Sequence, residues 1–248
     1  MAKIIFLGTA KAVPDKDHEN THILIQTNDR VIMVDCAGNP VVRLDQAGID
    51  PLSITDLIIT HFHPDHVSGL PLLLMDMWLL GRKELLNIFG LKGVIDRVVK
   101  MMELYDWQDW LGFYPVDFHF LPDHERMSLI DTEEIKVWAS PLCHMVPSIG
   151  LRMQFQEGVI CYSSDTAPCE ALFRLAADVD ILIHESTGEG SGHSSPEQAG
   201  EIAQRVGAAK LVLIHYPPKI DTDEWVRKAK KHFQGGVIVA KDFMTITI

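Results

Sequence analysis

Residues 57–69 read LIITHFHPDHVSG and place four metal-binding side chains within six positions: His61, His63, Asp65 and His66. An apolar run, Leu57 to Thr60, reads as a short buried strand that ends at the first of them. Residues two apart on an extended chain point the same way, so His61 and His63 can reach one ion. Pro64 bends the chain and denies the strand a continuation. Asp65 and His66 therefore leave in a new direction, at the start of a helix beginning near Val67. Two pairs of ligands aimed in two directions predict two neighbouring metals. A lone histidine would more often be a chance polar residue in a loop; four ligand types this close behind a buried strand are not.

Four later positions could join them. His144 lies in SPLCHMVPS, Asp165 in YSSDTAP, His193 in SGHSSPEQAG and His215 in LVLIHYPP. All four sit at or just past predicted strand ends, and His193 also stands just ahead of a helix. Side chains so placed can converge on one edge of a sheet sandwich. Singly, each has a plainer role: His144 or His215 as a satisfied buried histidine, Asp165 as a helix cap before Pro168.

The elements that must position these residues follow from apolar patterning and turn chemistry. Lys3–Gly8 reads as a first strand, and residues 21–27 and 30–35 as a hairpin turning at Asn28-Asp29. A short helix from Val41 to Ala47 closes at Gly48. After the 57–60 strand come a helix from about Val67 to Leu80, a strand over 87–91 and a helix from about Val94 to Tyr105. The aromatic segment YDWQDWLGFYP is expected to bury its rings. Residues 116–121, 128–130 and 134–140 are predicted as strands of a second sheet, with His119 facing outward. A hairpin over 149–163, a helix over 168–177, a strand over 180–184, and a helix opened by Ser195-Pro196-Glu197-Gln198 complete the pattern. A strand over 210–214, a helix over 222–233 and two closing strands follow. His18, His22 and His184 read as structural or solvated. Strands in meander form give way to strands alternating with helices, twice over. That order suits an α/β fold of two sheets packed face to face with helices outside, as one domain over residues 1–248 or two intimately fused halves.

The chain has 248 residues, 47% of them hydrophobic, enough for a large core. Its net charge is −12, a poor match for generic nucleic-acid binding, although bound metal ions reverse the local field at a site. The four cysteines, Cys36, Cys143, Cys161 and Cys169, form no CxxC pair and suit a reducing, cytoplasmic setting. No leader follows Met1, and the most apolar stretch, residues 71–81, is too short to span a bilayer.

The HxHxDH motif at 61–66 resembles that of the metallo-β-lactamase superfamily. FLGTAKAVP (6–14), DCAGNP (35–40), SSDTAP (163–168), HEST (184–187) and GHSSPEQAG (192–200) resemble motifs of its ribonuclease Z-like branch, across nearly the whole chain. The resemblance implies a four-layer αβ/βα sandwich in a single domain, and a dinuclear hydrolase. His61, His63, His144 and Asp165 would hold one metal, and Asp65, His66, Asp165 and His215 the other, with Asp165 bridging. Such a donor set suits Zn²⁺, with Mn²⁺ or Fe²⁺ as alternatives. The ions would lie roughly 3.5–4 Å apart and share a water or hydroxide. Asp65 would orient the nucleophile, His193 would protonate the leaving alkoxide, and Glu185 would hold His193. A homodimer is also implied.

Two departures bear on the substrate. Only twenty residues separate His144 from Asp165, so the long arm of the tRNA-processing members is missing there. The segment after His215, YPPK, lacks their arginine. The leading expectation is a small or cyclic phosphodiester, or an RNA 3′ end, as substrate. The alternatives are another ester class (lactone, thioester or sulfate ester) or a non-catalytic ligand carrier.

Overall fold

A computed structural model describes residues 2–248. Its strands run through one sheet and then the other. The first sheet takes β1 (Lys3–Gly8), β2 (His22–Gln26), β3 (Val31–Val34), β4 (Asp56–Ile58), β5 (Leu86–Leu91) and β6 (Val116–Leu121) in spatial order. The second takes β7 (Met127–Asp131), β8 (Ile135–Leu142), β9 (Ser148–Phe155), β10 (Val159–Tyr162), β11 (Ile181–Glu185), β12 (Lys210–Ile214) and β13 (Gly236–Val239). The last strand, β14 (Thr245–Thr247), crosses back to pair with β1. Each sheet starts antiparallel and turns parallel: from β3 to β6 in the first, and from β10 to β13 in the second.

The physical cause is the connections. Parallel neighbours need a crossover, and helices supply it. These are α1 (Pro40–Gln46), α2 (Pro64–Val67), α3 (Leu70–Leu79), α4 (Lys92–Glu103), α5 (Glu170–Leu175), α6 (Pro196–Arg205) and α7 (Thr222–Lys230). One apolar core joins Phe6, Ile23 and Ile58 of the first sheet to Val137, Leu151 and Ile183 of the second. A separate core packs Leu172, Ala199, Ala203 and Ala229 of the helices with Leu182, Leu211 and Leu213 of the second sheet. Helices therefore cover the sheets, in the αβ/βα layering expected.

Three expectations need correction. Residues 116–121 belong to the first sheet, because α4 returns the chain parallel to β5, and β6 pairs there from Leu86↔Val116 to Leu91↔Leu121. His119 is not simply outward: its ring stacks on Phe89 at 4.2 Å and its Nε2 meets Asn87 at 3.0 Å. The helix after the histidine stretch is two helices. Pro64 opens α2 at its first position, where a missing N–H costs nothing, so the helix begins before Val67. Pro71 cannot continue that helix and falls in the first turn of α3 instead. Gly69, between them, passes so close to Ala37 that a Cβ would lie 2.9 Å from its carbonyl. The aromatic segment packs inward in part: Tyr114 is buried, Trp107, Trp110 and Phe113 are half-buried against the core with Trp110 stacked on Trp78 at 5.2 Å, and Tyr105 at its start is exposed. Ser195 forms the capping box read from the sequence, with Gln198 as its partner.

Candidate metal centre

With this strand order, the C-terminal ends of β3, β4, β8, β10, β11 and β12 come to one rim. Asp35, His61, His144, Asp165, Glu185 and His215 sit at or just past those six ends. Three residues of this rim, Asp35 (φ 61°), Ser164 (φ 50°) and His215 (φ 52°), hold left-handed backbone without being glycine. Each costs about 1–3 kcal/mol, and such strain collects where a side chain must be aimed. A hydrogen bond from Ile149 N to the Thr60 carbonyl, 3.1 Å, ties the two sheets together there.

The side chains form two overlapping groups. His61, His63 and His144 bring ring nitrogens within 4.8 Å of one another, and so do Asp65, His66 and His215 for their ligand atoms. His63 Nδ1 lies 3.1 Å from His61 Nε2 and 3.2 Å from His144 Nε2. Asp65 Oδ2 stands 3.6 Å from both His66 Nε2 and His215 Nε2. Asp165 sits between the groups: its Oδ2 is 3.8 Å from His61 Nε2, 3.6 Å from His66 Nε2 and 3.4 Å from His215 Nε2. Donors around a tetrahedral zinc ion, about 2.0–2.1 Å from it, lie about 3.3 Å apart, so these spacings are those of coordination edges.

Hydrogen bonding tests whether ions fit. His66 Nε2, His215 Nε2 and Asp165 Oδ1 are buried with no hydrogen-bond partner among the described residues. His22 Nε2, Trp107 Nε1, Ser164 Oγ and His184 Nε2 are unpaired as well among the described residues. What singles out His66 Nε2 and His215 Nε2 is that both converge on the Asp165 carboxylate, at 3.6 and 3.4 Å, an arrangement that suits a cation. The opposite ring edges are engaged. His66 Nδ1 donates to Asp35 Oδ2 at 2.8 Å, and Asp35 also accepts from Thr60 N and Thr60 Oγ1. Because the Thr60 hydroxyl gives its proton to that carboxylate, it accepts from His61 Nδ1, 3.0 Å away. His144 Nδ1 faces the Gly192 carbonyl at 2.7 Å, and His215 Nδ1 faces Thr187 Oγ1 at 2.7 Å. This outer ring of partners aims Nε2 of all four residues inward.

Electrostatics agree. Burial pushes the His61 and His63 rings toward neutrality, as ligand imidazoles must be. Burial also opposes charge on His66, but Asp165 and Asp35 outweigh it and drive that ring well up. Asp165 is buried too, yet His215 and His66 hold its carboxyl well below the usual range. The rim thus collects carboxylates that demand positive charge, which divalent ions supply.

Beside these groups, His193 Nδ1 lies 2.9 Å from Glu185 Oε1. Glu185 is fully buried and also accepts from Thr166 N and Thr187 N. Burial disfavours a charged His193, but the hydrogen bond and charge of Glu185 outweigh it and raise the ring above its ordinary value. His193 also stands within ligand distance of His144 and Asp165. Every candidate residue read from the sequence therefore lies on this rim. His184 does not: it turns back to the Glu185 carbonyl, and burial lowers its pKa. His22 is likewise buried, its pKa lowered to about 4 by burial. The sequence reading missed Asp35, Thr60, Thr187 and Gly192 as parts of the site. Asp35, Thr187 and Gly192 did stand in the DCAGNP, HEST and GHSSPEQAG motifs, but nothing in those motifs said what they would contact, and Thr60 was marked only by its place before His61.

The comparisons with known proteins place this geometry. The chain is 28% identical to ribonuclease Z of Methanothermobacter thermautotrophicus over 305 aligned positions, covering all of this chain and 97% of that protein. It is 27% identical to ribonuclease BN of Cronobacter sakazakii, covering 99% of this chain and all of that one. Among solved structures, the short form of human tRNase Z (ELAC1) superposes with a TM-score of 0.80 at 26% identity, over 99% of both chains. The metallo-β-lactamase fold protein YhfI of Bacillus subtilis superposes at 0.85 with 20% identity, over 99% and 98% of the two chains.

Fold and site thus define a metal-dependent hydrolase of the metallo-β-lactamase fold, on its ribonuclease Z-like branch. More narrowly, the family described as "Anti-Pycsar protein Apyc1" matches residues 2–236, and the chain belongs to that family.

Proposed function

We propose that this protein hydrolyses a small or cyclic phosphodiester with two divalent ions, Zn²⁺ in the first place. His61, His63, His144 and Asp165 hold one ion. Asp65, His66, Asp165 and His215 hold the other. The observation that carries the reaction class is the Glu185–His193 pair, 2.9 Å apart beside both ligand groups. Bound ions activate water and neutralise phosphate charge. The protein's own residues supply the rest. Asp65 reaches both His66 and His215 at 3.6 Å, which suits it to orient the incoming nucleophile. His193, whose pKa Glu185 raises, donates its Nε2 proton to the departing alkoxide. A thioester, whose thiolate leaves readily without a proton, has less need of so well-held an acid.

A small substrate is favoured over tRNA on two counts. The net charge of −12 repels a long polyanion. The stretch between His144 and Asp165 is spent on β9, β10 and their turn, with no room for an arm. The resemblance also implies a homodimer, which a monomer mass by light scattering would remove.

The test is turnover of bis(p-nitrophenyl) phosphate and of a cyclic mononucleotide by Zn²⁺- or Mn²⁺-loaded protein. Hydrolysis of both is expected. A fully metallated protein inert to every phosphodiester, yet active on a lactone or thioester, would overturn the assignment.

A further inference from the structure

The segment Thr187 to His193, TGEGSGH, leaves the end of β11 and arrives at Ser194 ahead of α6. It touches the site at three points. At its start, Thr187 Oγ1 lies 2.7 Å from His215 Nδ1 and 3.0 Å from the His215 carbonyl oxygen. A carbonyl can only accept, so the hydroxyl proton goes there. The hydroxyl must then accept from His215 Nδ1–H. That fixes one tautomer and leaves the Nε2 lone pair free toward Asp65 and Asp165. Near its end, the Gly192 carbonyl accepts from His144 Nδ1 at 2.7 Å and fixes that ring by the same logic. At its last residue, His193 binds Glu185, whose second oxygen accepts from Thr187 N at 3.1 Å.

The close approach at Gly192 is specific. Its φ is +76°, and a Cβ would lie 2.9 Å from both His144 Nδ1 and Met145 N. Only glycine brings this carbonyl to that ring without displacing it. The chain is folded back on itself by Gly188 N to the Ser194 carbonyl at 3.1 Å and His193 N to the Gly190 carbonyl at 3.3 Å. His61 and His66 are aimed differently, by Thr60 and Asp35 of the first sheet.

We propose that residues 187–193 form a positioning strap, in which Thr187 fixes His215, Gly192 fixes His144, and both metal positions are thereby tied to the general acid His193. This rests on His144 and His215 being metal ligands. Thr187 and Gly192 are positioning residues that act through those rings.

The test is bound Zn²⁺ per chain, measured by mass spectrometry after dialysis against buffered Zn²⁺. It compares wild type, Thr187→Val, Thr187→Ser, Gly192→Ala and His215→Ala. Thr187→Val keeps the shape and loses the hydroxyl. It should weaken one of two ions by about 10–100-fold, with Thr187→Ser restoring it. Gly192→Ala should weaken the other by a similar factor. If Gly192→Ala does not fold, the Thr187 pair decides alone. Thr187→Val binding both ions as wild type does, while His215→Ala loses one, would overturn the strap and leave the ligand assignment standing. His215→Ala retaining both ions would overturn the ligand assignment beneath it.

Discussion

On the first sheet, four candidate ligands arrive on six consecutive positions, 61–66, carried by the end of β4 and the one-turn helix α2. On the second, His144, Asp165 and His215 arrive on three separate strand ends, and Glu185 and His193 on a fourth strand and a loop. The first group is placed by local geometry: an extended step of two residues, then Pro64. The second exists only because β10, β11 and β12 run parallel side by side and β8, beyond the antiparallel β9, points the same way. The outer partners differ in the same sense. Asp35 and Thr60 of adjacent strands hold the first group. A single glycine-rich loop holds two rings of the second. The proposed chemistry follows the same division, with the Glu185–His193 pair on the side built by tertiary structure.

The largest effect should come from that acid pair. His193→Ala is expected to lower turnover of a phosphodiester with an alkoxide leaving group by about 10²–10⁴-fold. Bis(p-nitrophenyl) phosphate, whose leaving group departs unprotonated, should lose far less. Equal losses on both substrates would remove the acid role and leave the second sheet with ligands alone. Glu185→Gln sharpens the point through pH. The acid works while protonated, so activity falls as pH rises through the His193 pKa. Glu185 raises that pKa. Its neutral replacement should therefore move the alkaline limb of the pH–rate profile to lower pH; an unmoved limb would mean that another group titrates there.

A smaller effect is expected on the first sheet. Asn tolerates the left-handed backbone of Asp35, but its amide nitrogen cannot accept from His66 or Thr60. Asp35→Asn should cost about 10–100-fold in metal affinity, read by competition with a zinc-binding dye. If the affinity is unchanged, residues 61–66 hold themselves in place, and the first group needs no outer support at all.

Much of this was legible in the chain. Alternating apolar runs and turn residues marked most strands of both sheets, and the capping box at Ser195 stands where its residues announced it. The placement of β6 was not legible. Its pattern says strand but carries no partner, and only the parallel return through α4 assigns it to β5. The break between α2 and α3 was half legible: Pro71 forbids one continuous helix, but where the chain restarts depends on how closely Gly69 packs on Ala37. Asp35 could be read as a strand-end acid and no more, because its role is defined by Thr60, just past β4, and His66 of α2, which reach it from elsewhere in the chain.

By itself, the sequence determined which atoms are available for chemistry. Ligand types, their spacing over 61–66 and the strand-end positions of the rest follow from residue identity and backbone periodicity, which are local. Tertiary structure decided how those atoms face one another. It set Asp165 within 3.4–3.8 Å of His61, His66 and His215. It left His66 Nε2, His215 Nε2 and Asp165 Oδ1 on this rim without partners among the described residues, and it bent residues 187–193 back onto His144 and His215. Distances between residues far apart in the chain depend on sheet pairing and close packing, and no local rule contains them.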